Sequence, residues 1–125
     1  MSTQDNISVV EAYLAGRGPE LIAEDATFHD YTLPEPIRGT EEIAKMFHAV
    51  YNVAFPGAEA EFHNIVANDN CVVLEFTFRG VNTGSLMGKP PTGRRVEVPM
   101  CVVYDVEDGV IRRARLYYDS GRMDG

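Results

Sequence analysis

Cysteine occurs only twice in this sequence, at Cys71 and Cys101, and tryptophan not at all. Two cysteines set 30 residues apart, each inside an apolar run and neither with metal-ligand spacing around it, exclude a disulfide-stapled scaffold and a zinc ribbon. Free, buried thiols are the expectation, with a single disulfide or a reactive thiol as the alternatives. Basic residues are also scarce: 11 Lys and Arg stand against 19 Asp and Glu, a formal charge of −8. That field repels phosphate backbones, so a nucleic-acid partner is not expected, although Arg94-Arg95 and Arg112-Arg113-Arg115 leave room for a local anion site. The three histidines, His29, His48 and His63, are scattered, and no metal site is expected. No apolar stretch approaches the roughly 18 residues that a membrane span needs, and the N-terminal Met1-Ser-Thr-Gln-Asp5 lacks a basic-then-apolar leader. The chain is therefore expected in the cytoplasm and off the membrane. There is no Gly-x-Ser-x-Gly elbow. The Gly84–Gly93 segment carries two prolines and joins strands, so it lacks the helix start that a phosphate cradle uses. Repeats and linkers are missing too, so residues 1–125 are read as one domain.

What is present divides into a helical half and a strand half, the signature of an α+β domain. A first helix is predicted from about Gln4 to Ala15, capped by Ser2 or Thr3, with Ile7, Val10 and Leu14 on one face and Gly16 and Gly18 ending it. Pro19 opens a short second helix through Glu24, and an extended piece runs from Ala26 to Tyr31. Two prolines make Leu33 to Gly39 a loop. A third helix starts near Thr40, with Glu41 and Glu42 favouring its dipole. Its stripe is Ile43, Met46, Phe47, Val50 and Ala54, and Phe55-Pro56-Gly57 stops it.

Four strand segments supply a surface for those stripes. In the first, Ala60, Phe62, Asn64 and Val66 alternate onto one face, and Asn68-Asp-Asn70 turns into the next. There Val72, Leu74, Phe76 and Phe78 alternate with Val73, Glu75, Thr77 and Arg79. The third puts Val96, Val98, Met100, Val102 and Tyr104 on one face, and Glu107-Asp-Gly109 makes a hairpin into a fourth running from Val110 to Asp119. Long strands joined by hairpins predict an antiparallel meander, bent by bulges into a cone-shaped curved sheet packed by about three helices. The face bearing Phe62, Phe76 and Met100 is expected to line a pocket for a small hydrophobic molecule. The opposite face carries Cys71, Val73, Thr77, Cys101 and Val103, small or apolar where solvent favours charge, which predicts a homodimer.

At this point the chain resembles the SnoaL-like polyketide cyclases of the nuclear-transport-factor-2-like superfamily, whose fold is also described as cystatin-like. The resemblance runs over nearly the whole length. It is carried by Thr27-Phe-His29-Asp, Ile37-Arg-Gly-Thr-Glu41, Ala54-Phe-Pro-Gly57, Asn68-Asp-Asn-Cys-Val-Val73, Arg79-Gly-Val-Asn-Thr-Gly84, Met87-Gly-Lys-Pro-Pro-Thr-Gly-Arg94, Glu107-Asp-Gly-Val-Ile111 and Tyr117-Tyr-Asp119. It departs from the family at Gly57, where Asp is common, at Asn82, where His is common, and near Arg115, where an aromatic is common.

The resemblance implies a cofactor-independent acid/base enzyme acting on a small hydrophobic carbonyl compound, a cyclase, isomerase or lyase. By motif its carboxylate maps onto Asp119, with His29 as the second catalytic candidate. Strict alternation puts Ala114, Leu116 and Tyr118 on the apolar face of the last strand, so Asp119 and Tyr117 reach a substrate only through a bulge. Asn64 and Asn82 fall on otherwise apolar faces, where a buried amide either ties down backbone or contacts substrate. The epoxide-hydrolase branch of the superfamily, which relies on Asp-Arg-Asp, is not expected, because no inward carboxylate partners Asp119. The same cone also serves non-catalytic binding and dimerising accessory domains, and the residues leave that alternative open.

Overall fold

The computed structural model describes residues 3–15 and 19–124. Helix α1 (Thr3–Leu14) leads through a 3₁₀ turn (Pro19–Leu21) into strand β1 (Ile22–Asp30), followed by the two-residue β2 (Ile37–Arg38). Helix α2 (Thr40–His48) continues into a π-helical turn (Ala49–Ala54). Four strands follow: β3 (Glu59–Ala67), β4 (Cys71–Val81), β5 (Arg95–Glu107) and β6 (Val110–Tyr118). A second 3₁₀ turn covers Ser120–Asp124. The proposed caps and stops at Ser2, Gly16 and Gly18 lie outside the described residues. No helix among the described residues is long and apolar enough to cross a membrane.

The six strands form one curved, unclosed sheet in the order β2-β1-β6-β5-β4-β3. The α+β class stands, with two corrections. First, the sheet is mixed: β1 lies parallel to β6, with Phe28 beside Ala114 and Asp30 beside Leu116. Second, Ile22 to Glu24 belong to β1 rather than to a helix, which the Pro19 turn serves only for three residues. Two helices, not three, therefore cover the sheet.

The β4–β5 pairing is unbroken from Cys71↔Asp105 to Val81↔Arg95, so the alternation of both strands builds one inner face. Val72, Leu74, Phe76 and Phe78 from β4, with Val96, Val98, Val102 and Tyr104 from β5, are all buried. Onto them pack Val10 of α1, Ile43 of α2, and Ala54 and Phe55 at the end of the π-helical turn. Phe78 takes edge-on contacts from both Tyr51 and Phe55, with ring centroids 5.5 and 5.3 Å away. The β5–β6 hairpin turns through Asp108 and Gly109, both with positive φ (53° and 79°), the two-residue geometry that matches strand twist.

Asn6 is a polar member of the α1 core stripe that hydrophobic spacing passes over. It is buried, and its Nδ2 donates to the Asn68 and Asp69 carbonyls at 3.2 and 2.7 Å, which pins the helix to the β3–β4 turn. The turn itself closes through Asn68 Oδ1, which accepts the Asn70 N–H at 3.0 Å.

Candidate functional site

Between the inner face of the sheet and the helices lies a cavity of about 110 Å³, lined mainly by apolar side chains. Its floor is two straight rows of residues that neighbour each other across the strands. One row is Phe62, Phe76, Met100 and Tyr118; the other is Leu74, Val102, Leu116 and Asp30, continued on β3 by Ile65, which lines the neighbouring groove. The roof is Met46, Phe47, Val50 and Tyr51, with Leu14 of α1 at one end. At the opposite end, beside Asp30 and Tyr118, the cavity meets a larger groove of about 640 Å³ walled by the β4–β5 loop and the terminal turn.

Among the described residues Asp30 is the one carboxylate in this lining, and no described arginine or histidine lines it. Asp30 arrives there by strand alternation: Phe28 is buried on the inner face, and Asp30, two residues on, shares its side. Thr32 holds one carboxylate oxygen, Oδ1, through its backbone N–H at 3.0 Å and its hydroxyl at 2.6 Å. The other oxygen, Oδ2, accepts the Tyr118 hydroxyl at 3.0 Å. Burial outweighs the lowering effect of the Thr32 hydrogen bond and, with the Asp30 charge and hydrogen bond, raises the Tyr118 phenol above its ordinary pKa, so it stays an O–H donor. Burial likewise raises the Tyr51 and Tyr104 phenols that line the apolar part. The arrangement is a half-buried, oriented carboxylate with a neutral phenol at the junction of an apolar cavity and a larger groove. A group so placed is able to accept a proton from a bound molecule and return it.

Of the residues singled out from sequence, Phe62, Phe76 and Met100 come together on the cavity floor. The others do not join them. Asp119 is exposed, and its Oδ1 accepts the Gly121 N–H at 2.9 Å. The bulge that would have turned it inward sits at the other end of β6, where Asp105 pairs with Arg113 but Val106 with Ile111. Tyr117 keeps the same outward phase and stacks on Tyr31 with centroids 5.1 Å apart. His29 also faces outward, pairing with Arg115 across the strands and stacking on Tyr31. Its Nε2 lies 3.2 Å from the Thr27 hydroxyl. Burial first, and then the charges of Arg113, Arg115 and Arg38, lower its pKa and favour neutral imidazole.

A bulge in β3 accounts for Asn64. Phe62 pairs with Phe76 but Asn64 pairs with Glu75, so His63 is extra and Asn64 turns to the outer face. There its amide donates to Glu75 at 3.0 Å. Asn82 is buried, and backbone consumes its amide: Nδ2 donates to the Ala54 and Gly84 carbonyls at 3.1 and 2.9 Å, and Oδ1 accepts the Thr92 N–H at 2.8 Å. It anchors the β4–β5 loop to the end of the π-helical turn. Asp30, Thr32 and Tyr118 are the polar residues that sequence reasoning missed. The Phe28-x-Asp30 alternation was the signal for the first and the apolar phase of Tyr118 the signal for the last.

The outer face is organised separately. Asp105 accepts hydrogen bonds from Arg113 and Arg115. Burial pushes its carboxyl up, but those bonds and charges outweigh burial and leave it below its ordinary value. Cys71 and Cys101 are free, partly buried thiols whose pKa values burial raises. Among the described residues no three His, Cys, Asp or Glu side chains come together as a metal site would need.

The model of the SnoaL-like domain family matches residues 9–114. Among solved structures, a protein provisionally described as a SnoaL-like polyketide cyclase from Jannaschia sp. CCS1 is similar at a TM-score of 0.83 and 23% identity, over 97% of this chain and 90% of that one. IdmH of Streptomyces antibioticus, with a provisional polyketide cyclase description, is similar at 0.68 and 29% identity, over 96% and 93%. A LEH-like epoxide hydrolase from M. tuberculosis is similar at 0.73 and 24% identity, over 97% and 87%. Among curated protein sequences none matches this chain.

Proposed function

The chain belongs to the SnoaL-like domain family, and on that premise we propose that it is an acid/base enzyme acting, without a cofactor, on a small apolar carbonyl compound. The observation that carries this reading is Asp30, a lone carboxylate at the edge of an apolar cavity with the Tyr118 hydroxyl 3.0 Å away. A carboxylate removes a proton from carbon only where a neighbouring carbonyl takes up the charge. With Oδ1 engaged by Thr32, Oδ2 is the atom that accepts the proton. Tyr118 then turns its hydroxyl to the enolate oxygen, as a neutral phenol in an apolar site does well. Asp30 returns the proton to a second carbon in an isomerisation, or to the new alkoxide after an intramolecular aldol closure. Both are cyclase- or isomerase-type outcomes of one proton carrier.

Epoxide hydrolysis fits less well, since among the described residues neither an arginine nor a second carboxylate lines the cavity. The competing reading is a binding module in which Thr32 and Tyr118 merely tether Asp30. Deuterium exchange separates the two. In D₂O the protein should catalyse exchange at the α-carbon of a small ketone such as 2-pentanone. Asp30→Asn should lower that rate by roughly 10²–10⁴ with binding little altered. A protein that binds the ketone and exchanges nothing, in either form, is a binder. The reading also includes a homodimer formed through the outer face of the sheet, where Val66 and Tyr117 are exposed.

A further inference from the structure

We propose that the ligand is a long-chain carbonyl compound, held with its carbonyl at Asp30 and its chain running across the sheet to leave beside Phe62. This rests on the acid/base reading of the same site and adds the substrate class. The enclosed volume, about 110 Å³, is well below the roughly 300–1,000 Å³ of ordinary ligand pockets. A ligand of more than a few heavy atoms must therefore leave through an open end.

There are two ends, and each mixes polar and apolar residues. The groove beside Asp30 includes Thr32, Asn82, Lys89 and Ser120 together with Leu86 and Met87. The far end opens into a second groove of about 610 Å³ between the end of α1 and β3, where Glu11, His63 and Asn64 stand beside the apolar side chains, and the cavity and that groove share Leu14, Phe62 and Leu74. Three large apolar side chains stay exposed there: Phe62 at 54%, Leu14 at 39% and Ile65 at 38%. Exposed singly, such residues need no explanation. Grouped at the mouth of an apolar cavity, they mark a surface that a ligand covers.

The track between the ends is straight. Asp30 and Ile65 terminate one cross-strand row, and Tyr118 and Phe62 terminate the other. Four strand spacings separate Asp30 from Ile65, about 19 Å along the sheet at ~4.8 Å each. An extended alkyl zigzag of ~1.5 Å bonds advances only about 1.25 Å per bond, so a chain of roughly 15 bonds covers that distance. The side chains between are Leu116, Val102 and Leu74 in one row, and Met100 and Phe76 in the other. None of these five offers a hydrogen bond, and with Tyr51 and Tyr104 the only hydroxyls in the lining besides Tyr118 among the described residues, the track favours hydrocarbon over a polyhydroxylated or charged chain.

The test is a series of n-alkyl methyl ketones from 2-pentanone to 2-nonadecanone, with affinity measured by calorimetry and α-carbon exchange by NMR on the same samples. Affinity should rise with each added methylene, up to roughly fourfold for one fully buried. It should level off near 16 or 17 carbons (roughly 15 bonds beyond the carbonyl carbon), where the chain emerges. Phe62→Lys and Leu14→Lys place a charge at exposed positions of the far mouth, and each should flatten the length dependence for chains that reach it. A length-independent affinity overturns the proposal, as does a length dependence that neither variant changes. Length-dependent binding without exchange supports the channel and overturns the acid/base reading. Exchange of short ketones without length dependence does the reverse.

Discussion

Replacing Asn82 with alanine isolates what one buried amide does for the wall of the site. Three backbone groups use it, but they do not lose equally. The Ala54 carbonyl also accepts the Thr83 and Gly84 N–H groups at 3.1 and 3.2 Å, so it stays satisfied. The Gly84 carbonyl and the Thr92 N–H lose the amide as partner. A fully buried orphan costs about 1–3 kcal/mol. Thr92 is exposed and Gly84 partly so, so water restores part of each loss and the lower end applies. The expected destabilisation is about 2 kcal/mol, or a fall in Tm of several degrees. Urea unfolding followed by circular dichroism should show a lower midpoint at unchanged slope. Asn82→Asp sharpens the test, because its carboxylate meets two carbonyl oxygens. The folded state then disfavours the charged form and holds the carboxyl above its unfolded value of about 3.9. Stability relative to Asn82→Ala should therefore rise as pH falls from 7 towards 4, where the folded chain takes up the proton first. A loss below about 0.5 kcal/mol for Asn82→Ala, or a pH-independent difference between the two variants, would refute the anchoring role.

Two further outcomes follow from backbone and surface. Gly84→Ala should destabilise by about 1–3 kcal/mol, read in the same urea assay, because a methyl group there overlaps the Val53 carbonyl. A near-wild-type midpoint would show that loop and helix end are not in close contact. In sedimentation velocity at micromolar concentration the protein should run as a dimer, and Val73→Lys with Val103→Lys should give monomers of unchanged circular dichroism. A 13.9 kDa monomer of the unaltered chain would remove the outer-face interface.

The parts of this fold that could be read from sequence are those set by local periodicity. The inner faces of β4 and β5, the α2 stripe continuing to Ala54 and the Asp108-Gly109 turn each depend on residues a few positions apart. The parallel seating of β1 on β6 depends instead on segments more than 80 residues apart, and nothing in β1 encodes its neighbour. Pro19 misled the reading of Ile22–Glu24 because a proline signals a helix start without fixing how far the helix runs. Phase errors explain most of the site. One extra residue at His63 moved Asn64 to the outer face, since a slip of one exchanges faces. Asp30 obeys the plain alternation from Phe28, whereas the motif that carries the family resemblance centres on the neighbouring, outward-facing His29.

The same phase argument gives Asp119 a different connection to the cavity. Tyr118 points inward to Asp30, so Asp119 must point outward in an unbulged strand end. It then works on backbone: its Oδ1 accepts the Gly121 N–H and its carbonyl accepts the Arg122 N–H at 3.1 Å, starting the Ser120–Asp124 turn. That turn carries Met123 back over both the cavity and the Asp30 groove. A substitution at Asp119 would thus reach the site through Met123, by reshaping the wall, whereas Asp30→Asn keeps the turn and removes only the proton acceptor. The two are distinguishable because a displaced wall changes ligand affinity, while a lost proton carrier in a preserved wall changes turnover alone.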